Sequence, residues 1–390
     1  MSSPASTFLT DAPEDPLFDL TVRGLRSATF TFTLIEAISG FIVRQITPLR
    51  NSTPTLAHDT TRAVKRTLTL TLGVEDTAVF DEIEHRVQVF MRLGDGRVFP
   101  LGTYMAVSAS RMTTTAGDLS TIALTDEMFV LSQPIPESFA SDSRTYVSNN
   151  LTNVIAGTAF DAVNDFLNRY ILFTGTNSTP NNNPTRRMLE RDVEFSNFPI
   201  VNAWQAGTSG TSVLSDIATI GNYFTPWLDH HNVFRMIRSF NPEDVVSTVD
   251  LDVRKTVLRD SIMRTNDLLN APNRIVVVSN SGMGDSRNGP VVGTFDVPTS
   301  APHSIANRGF IISEVLNLQV TTTFQAITTA QNIAVNQRVA ERVELSTPPD
   351  PRHDSYDVVR WDGELWLETA WSMPLVEGGE MSHTLQRIYR

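Results

Sequence analysis

The chain has 390 residues, of which 41% are hydrophobic, and it carries 43 Asp and Glu against 31 Lys and Arg, a net charge of -12. This length favours roughly two to four structural units over one compact domain. The absence of cysteine excludes disulfides, thiolate metal sites and cysteine nucleophiles. Stable nucleic-acid binding is not expected, because a protein that holds phosphates needs an excess of positive charge.

Residues 1–20 are rich in Pro, Asp, Ser and Thr, and they predict an arm that orders only against a neighbouring molecule. They lack the basic start and the apolar block of a signal peptide. No stretch of the chain approaches the roughly 18 uncharged apolar residues of a membrane span. We therefore expect a protein without a membrane span that is not exported by the usual route.

A strand-rich region is predicted over residues 21–134. Ala28–Leu34 and Arg66–Leu72 alternate apolar with polar residues, and in the second run the leucines face one way and the threonines the other. Further strands are predicted at Arg86–Leu93, Val98–Val107 and Leu119–Leu124. About six short strands within about 110 residues indicate a small barrel or sandwich.

Residues 135–250 follow the segment Pro134-Ile135-Pro136 and predict a mixed α/β insertion. Apolar residues at a period of about 3.6 predict helices over Thr145–Ala159 and Ser212–Ile220. Asn177–Pro184 is predicted to be an exposed polar loop. Asn222–Ile237 predicts a β-hairpin whose turn is Asp229-His230-His231-Asn232.

Residues 251–390 return to a strand-rich pattern. Strands are predicted at Asn273–Ser279, Gly309–Val315, Val358–Leu367 and Met381–Arg390, interrupted by one long helix over Thr321–Arg342. The chain thus predicts an α+β fold that is predominantly β. Two small β-barrel-like domains, 21–134 and 251–390, would flank the insertion.

Residue types that could carry chemistry are present but poorly arranged for it. His230 and His231 are the strongest candidate metal ligands, yet neighbours in a tight turn point in different directions and no HExxH spacing occurs. Asp229 is expected to form the turn. Gly207–Ser212 precedes a helix but lacks the Lys of a phosphate-binding loop, so it predicts a loop and an N-cap.

Two other groups raise functional alternatives. Asp81, Glu82 and Glu84 suggest the carboxylate pair of a cell-wall hydrolase, but adjacent carboxylates are usually solvated and no GxSxG motif is present. Aromatic residues near the C-terminus suggest a glycan-binding platform, although their strand setting favours packing in a core or between subunits. These aromatic residues are Tyr356, Trp361, Trp366, Trp371 and Tyr389. We expect no catalytic, cofactor-binding or metal-binding residues.

Several short motifs follow one another along the chain. Asp59, Arg62 and Arg66 form Asp-x-x-Arg-x-x-x-Arg, which leads into alternating leucines, and Pro-Leu-Gly-x-Tyr ends at Tyr104. Later come Asn-x-x-Val-Val-Val from Asn273, the long Ala-rich helix, Asp-Val-Val, Pro-Leu and Met. In this order the motifs resemble the hub, or tail-associated, proteins of siphophages, especially the minor tail proteins of actinobacterial phages. The residues that carry the resemblance are Asp59, Arg62, Arg66, Leu68, Leu70, Gly102, Asn273, Asp357, Pro374 and Met381.

The resemblance covers about residues 21–390 and departs from the family at two loops. Relatives tend to have Asp-x-x-Gly where this hairpin turn reads Asp-His-His-Asn, and Asn177–Pro184 looks inserted. The resemblance implies a homotrimeric baseplate hub in which two related barrels per subunit form a ring of pseudo-sixfold symmetry. Such a hub would close the tail tube and adapt its sixfold symmetry to a threefold tip.

The same resemblance implies the partners and the location. The partners would be the ring of distal tail protein, the tape measure protein and other tail-tip or fibre proteins, and DNA would pass through the lumen without stable binding. The protein would be assembled in the cytoplasm of the host bacterium and would lie at the tail tip of the virion. Two alternatives are a tail-associated cell-wall hydrolase, because related tail-tip proteins often carry such domains, and a receptor-binding module for host glycans. The chain ends where the hub pattern ends, which leaves no room for a hydrolase domain.

Overall fold

The structure is a computed structural model, and the residues that it describes are 28–115, 117–141, 144–148, 151–155, 159–170, 202–221, 223–240, 249–251, 262–266, 269–279, 290–318, 320, 322–336 and 339–388. The predicted arm over residues 1–20 and the predicted loop Asn177–Pro184 lie outside these residues. No described helix has the length and the apolar character that a membrane crossing requires.

Strands predominate in the structure, since 47% of the described residues lie in strands and 17% in helices. The prediction of a predominantly β protein is confirmed. The first strands are β1 (Thr29–Glu36), β2 (Ile42–Ile46), β3 (Thr55–Asp59), β4 (Arg66–Leu72), β5 (His85–Arg92), β6 (Val98–Thr114), β7 (Gly117–Thr125), β8 (Phe139–Ser141), β9 (Arg144–Ser148), β10 (Leu151–Ile155) and β11 (Asn202–Trp204). The later strands are β12 (Trp227–Leu228), β13 (Phe234–Arg235), β14 (Val249–Leu251), β15 (Met263–Asn266), β16 (Arg274–Ser279), β17 (Val291–Asp296), β18 (Ser313–Asn317), β19 (Val339–Thr347), β20 (Val358–Trp361), β21 (Glu364–Pro374) and β22 (Met381–Ile388). The helices are α1 (Val74–Val79), α2 (Met128–Leu131), α3 (Ala159–Tyr170), α4 (Gly210–Gly221), α5 (Ile305–Arg308) and α6 (Thr323–Asn336).

One sheet of 13 strands organises the molecule. Its main order is β15-β19-β22-β21-β3-β4-β7-β6-β5-β1-β2, with β20 paired to β21 and β14 parallel to β20. The described strands do not close into a barrel, so the prediction of two separate barrels in one subunit is corrected to one open sheet. The reason is the antiparallel pairing of β3 with β21, which places Trp371 opposite His58 and joins the N-terminal strands to the C-terminal ones.

Alternating residues place one face of the N-terminal strands in a core. Leu68, Leu70 and Leu72 on β4 are buried, and the threonines between them point the other way. The long β6 pairs first with β5 and then with β7, and the register shifts between Val89 and Phe90, opposite Gly102. Gly102 has a φ of 123°, and a Cβ there would lie 2.7 Å from the Tyr104 hydroxyl, so this bend needs glycine.

A second core joins the insertion to the C-terminal region. Helices α3 and α4 share it with the hairpin β12–β13, with the strand β16 and with α6. The predicted helix Ser212–Ile220 and the predicted hairpin are confirmed. Asn232 in the hairpin turn has a φ of 65°, a left-handed conformation that Asn tolerates better than most residues, which accounts for Gly at this position in the family pattern.

Two helix predictions are wrong in part. Arg144–Ser148 and Leu151–Ile155 form the antiparallel strands β9 and β10, and α3 begins at Ala159. The apolar residues of this segment are largely aromatic or β-branched, which favours strands over a helix. The helix predicted to reach Arg342 ends at Asn336, because Glu341–Leu345 alternates polar with buried apolar residues and pairs with β22.

Candidate functional site

The loop between β19 and β20, residues 348–357, carries an unusual number of buried charged side chains, and we call it the junction loop. Three prolines among its ten residues prevent regular helix or strand. Local hydrogen bonds shape it instead: the Asp350 carboxylate accepts from the Arg352 backbone N–H at 3.0 Å, and the Asp357 carboxylate accepts from the Asp354 N–H at 2.6 Å. Buried charges of this kind require partners, and those partners come from three distant parts of the chain.

The first partners of the junction loop are on β3 and β4. Arg66 Nη2 lies 2.5 Å from Asp354 Oδ1 in a largely buried salt bridge. Burial alone would raise the pKa of Asp354, but the Arg66 charge outweighs it and holds that pKa well below its usual range. His58 Nε2 lies 2.7 Å from Ser355 Oγ, and its ring stacks on Trp371 with centroids 5.4 Å apart. Burial and the nearby Arg66 lower the pKa of His58 to about 3.

Lys65 ties the junction loop to the insertion. Its Nζ donates hydrogen bonds to the Thr225 carbonyl at 2.7 Å and to the Tyr356 hydroxyl at 2.8 Å. The same Nζ lies 4.8 Å from the centroid of the Tyr356 ring. Burial lowers the pKa of Lys65 to about 7. The side chain of Lys65, immediately before β4, therefore contacts both the junction loop and the segment that enters β12.

Two buried carboxylates complete this junction cluster, which we define as His58, Lys65, Arg66, Asp126, Asp229 and Asp354. Asp126 accepts from the backbone N–H of Arg66 at 3.3 Å and of Met128 at 3.0 Å, and burial raises its pKa to about 7. Asp229 accepts from the His231 and Val233 N–H groups, each at 2.8 Å, and forms the hairpin turn as predicted. Its pKa is raised to about 6 by burial and by the charge of Asp354.

A second polar group, the histidine triad, consists of His353, Glu368 and His383. The Nδ1 atoms of His353 and His383 lie 2.6 Å from Oε2 and Oε1 of Glu368, and all three side chains are fully buried. Burial would raise the pKa of Glu368, but the two imidazoles lower it to about 2. Burial opposes a charge on His353, yet Glu368 raises the pKa of His353 to about 9. Burial lowers the pKa of His383.

The triad is the group that could hold a metal ion. Among the residues that the structure describes, it alone brings three His, Asp or Glu ligand atoms within 4.8 Å of one another. Sequence reasoning missed it, because the three residues come from the junction loop, β21 and β22 and are spaced 15 residues apart, with no local motif. The only signal of this site in the sequence was Glu368, a charged residue at an inward-facing position of β21.

A cavity of about 210 Å³ lies beside the junction cluster, across β4, β3, β21 and β22. Hydroxyl groups of Thr67, Ser372 and Thr384 line it, together with Asp59 and Arg62. Asp59 and Arg62 form an ion pair at 3.1 Å, and Asp59 also accepts from Thr61. The residues that line this cavity provide polar contacts, and none of them is a nucleophile paired with a base.

The residues that carry the family resemblance are scattered through the structure. Arg66 contacts Asp354 of the junction loop, Asp357 belongs to that loop, and Leu68, Leu70 and Met381 belong to the N-terminal core. Asn273 is buried, where its side chain donates to the Phe310 carbonyl at 2.9 Å and accepts from the Ile312 N–H at 2.8 Å. Pro374 pairs with Thr55 at the end of β21. These roles are structural.

The candidates for other activities also have clear positions. Asp81 is exposed, and one of its carboxylate oxygens accepts the N–H groups of Ile83 and Glu84 at 2.8 Å. His230 Nδ1 lies 3.5 Å from Asp354 Oδ2. Tyr356, Trp361, Trp366 and Trp371 are buried, so these four do not form a glycan platform. Tyr389 lies outside the described residues.

Exposed apolar side chains lie at both ends of the large sheet. The hairpin β1–β2 exposes Ile38 by 93%, Phe41 by 72% and Ile42 by 73%. At the other end, Met263 on β15 is 52% exposed. Apolar residues on strands at the edge of a sheet are typical of surfaces that pair with another chain.

Comparisons with known proteins identify the fold. The sequence matches no protein-family model and no curated protein sequence. Among solved structures, a tail protein from Neisseria meningitidis MC58 is similar with a TM-score of 0.57 at 10% identity, over 92% of this chain and 97% of that one. The 43 kDa tail protein of prophage MuSo2 from Shewanella oneidensis has a TM-score of 0.56 at 12% identity, over 93% and 98%. The prophage tail protein gp18 from Listeria monocytogenes EGD-e has a TM-score of 0.53 at 8% identity, over 91% and 94%. The chain shares the fold of these tail proteins over nearly its whole length.

Proposed function

We propose that the protein is a structural component of a bacteriophage tail and forms a trimeric baseplate hub of the siphophage type. The observation that carries the proposal is the fold likeness to tail proteins, which extends over more than nine-tenths of both chains in each comparison. The motif order of the sequence, which resembles hubs of actinobacterial phages, is independent support. The hub has no catalytic task.

The open sheet supports assembly into a ring. Among the described strands, β2 and β15 are the edges of this open sheet, and apolar side chains exposed at such edges are costly in water and favour pairing with another chain. Neighbouring subunits about a threefold axis would cover these edges and complete a closed ring between chains. At each contact, an edge strand of one subunit would then pair with an edge strand of the next.

The proposed ring closes the tail tube and adapts its sixfold symmetry to the threefold tip. Its partners are the distal tail protein ring, the tape measure protein and the tail-tip or fibre proteins. The net charge of -12 suits a lumen through which DNA passes without stable binding, because like charges repel. The protein is assembled in the host cytoplasm and lies at the tail tip of the virion.

The mass of the purified full-length chain tests this proposal. We expect native mass spectrometry and light scattering to give three copies of the 43.2 kDa chain, and negative-stain electron microscopy to show a threefold ring. A chain that stays monomeric at high concentration and forms no ring in tail particles would overturn the trimeric hub. Turnover of a cell-wall substrate would instead support the hydrolase alternative.

A further inference from the structure

The histidine triad places two imidazole rings on the two oxygens of one buried carboxylate. Thr347 Oγ1 lies 2.9 Å from the Pro348 carbonyl, to which it donates, and 2.7 Å from His383 Nε2. A hydroxyl has one proton, so His383 Nε2–H is the donor to Thr347. The other ring nitrogen of His383, Nδ1, lies 2.6 Å from Glu368 Oε1. The cation that bridges these two atoms is either a proton or a metal ion.

His353 presents a similar contact to the other oxygen of the same carboxylate. Its Nδ1 lies 2.6 Å from Glu368 Oε2, while its buried Nε2 has no hydrogen-bond partner among the described residues. The two imidazoles are thus held against one carboxylate, with ring centroids 4.6 Å apart.

We propose that His353, Glu368 and His383 bind a divalent transition-metal ion of the zinc class. Two imidazole nitrogens and one carboxylate form a donor set that suits Zn²⁺, and His383 is oriented by a hydrogen bond from its other nitrogen, as metal-bound histidines commonly are. Zinc places neighbouring donor atoms roughly 3.3 Å apart, so the ion requires side-chain shifts of under about 1 Å from the present distances. Buried Asp350 and Asp357 lie close enough to contribute negative potential.

The bound ion would be a structural metal ion that stabilises the fold and takes no part in a reaction. All three ligands are sealed from solvent, so no substrate reaches them. The ion would hold the junction loop against β21 and β22, and this loop carries the contacts of Asp354 to Arg66 on β4 and of Tyr356 to Lys65, the residue before β4. Metal binding would thereby stabilise the joint between the N-terminal strands, the insertion and the C-terminal strands.

The test uses the full-length protein, purified without a polyhistidine tag from cells grown with added zinc. We expect about one zinc ion per chain by elemental mass spectrometry, a fall in Tm on strong chelation and its recovery with zinc sulfate. Co²⁺ in place of zinc should give visible ligand-field absorption bands.

Two variants separate metal ligation from general destabilisation. Glu368→Gln keeps the shape of the side chain and should lose the metal and the Co²⁺ bands. His58→Asn removes an equally buried histidine that contacts the same loop, and it should keep the metal even if its Tm falls. A zinc-supplied wild type with less than about 0.1 metal per chain and no response of Tm would overturn the proposal and leave a shared proton as the bridging cation. So would undiminished metal content in Glu368→Gln. These outcomes are independent of whether the chain forms a trimer.

Discussion

Arg66 and Asp354 lie 288 residues apart in the chain, yet their side chains form a salt bridge of 2.5 Å. Arg66 is on a central strand of the sheet, and Asp354 belongs to the junction loop. The Arg66 side chain is 2% exposed, so the pair holds the two parts together in a low-dielectric setting. A bridge of this kind is strongly coupled to the charges around it, here Asp126 and Asp229.

Replacing Arg66 should therefore be costly. Arg66→Met leaves the carboxylates of Asp354 and Asp126 buried without their cation, and we expect a loss of about 3–5 kcal/mol of unfolding free energy. Arg62→Met is the matched control, because the Arg62–Asp59 pair is largely exposed and should contribute less than about 1 kcal/mol. Urea denaturation followed by tryptophan fluorescence measures both. Equal losses of unfolding free energy in the two variants would show that the buried salt bridge contributes no more than the exposed one.

Lys65 should make stability depend on alkaline pH. Burial lowers the pKa of Lys65 in the folded protein to about 7, from an ordinary value of 10.5. Between these two values the unfolded chain binds more protons at this residue than the folded one, so the contribution of Lys65 to stability rises with pH across that window, by up to about 5 kcal/mol. Lys65→Met should flatten this part of the pH profile. The urea midpoint measured from pH 7 to pH 10 tests the difference, and identical slopes for both proteins would refute it.

Gly293 on β17 should tolerate no side chain. A Cβ at this position would lie 2.3 Å from the backbone of Ala326 and of Ile327, where α6 crosses the strand. We expect Gly293→Ala to destabilise the protein by about 1–3 kcal/mol, because helix and strand must move apart. Gly73→Ala is the control, since nothing lies within 4 Å of its added Cβ. Thermal and urea unfolding of the two variants should differ accordingly, and a Gly293→Ala protein as stable as the control would show that α6 can shift freely.

The edge strand β2 should be required for assembly. Ile42→Lys places a charge on an exposed edge residue and should shift the proposed trimer towards monomer at a given concentration, with no large change in the Tm of the monomer. Phe324→Lys is a matched control, because Phe324 is 74% exposed on α6, away from both edges of the large sheet. Sedimentation velocity over a dilution series measures both. If only Phe324→Lys dissociated the proposed trimer, the subunit interface would lie near α6 and not at the edge strand β2.

Much of the secondary structure could be predicted from local patterns. The run Arg66–Leu72 was predicted as the strand that is observed, and Ser212–Ile220 lies within α4, because side-chain periodicity reports burial on one face. The same reasoning failed at residues 145–155, where apolar spacing fitted a helix but the residue types favoured strands. The same reasoning also predicted that α6 continues into β19. No local signal marks the point where the helical period gives way to the strand period.

The sequence by itself determined that the protein is predominantly β, acidic and without cysteine chemistry, and the order of its motifs resembles that of tail hubs. Only the tertiary structure decided that β3 pairs with β21 to make one open sheet and that Arg66 meets Asp354. It also brought His353, Glu368 and His383 together from residues spaced 15 apart. Strand pairing and buried charge contacts depend on which distant segments become neighbours, and periodicity within a short window carries no information about that choice.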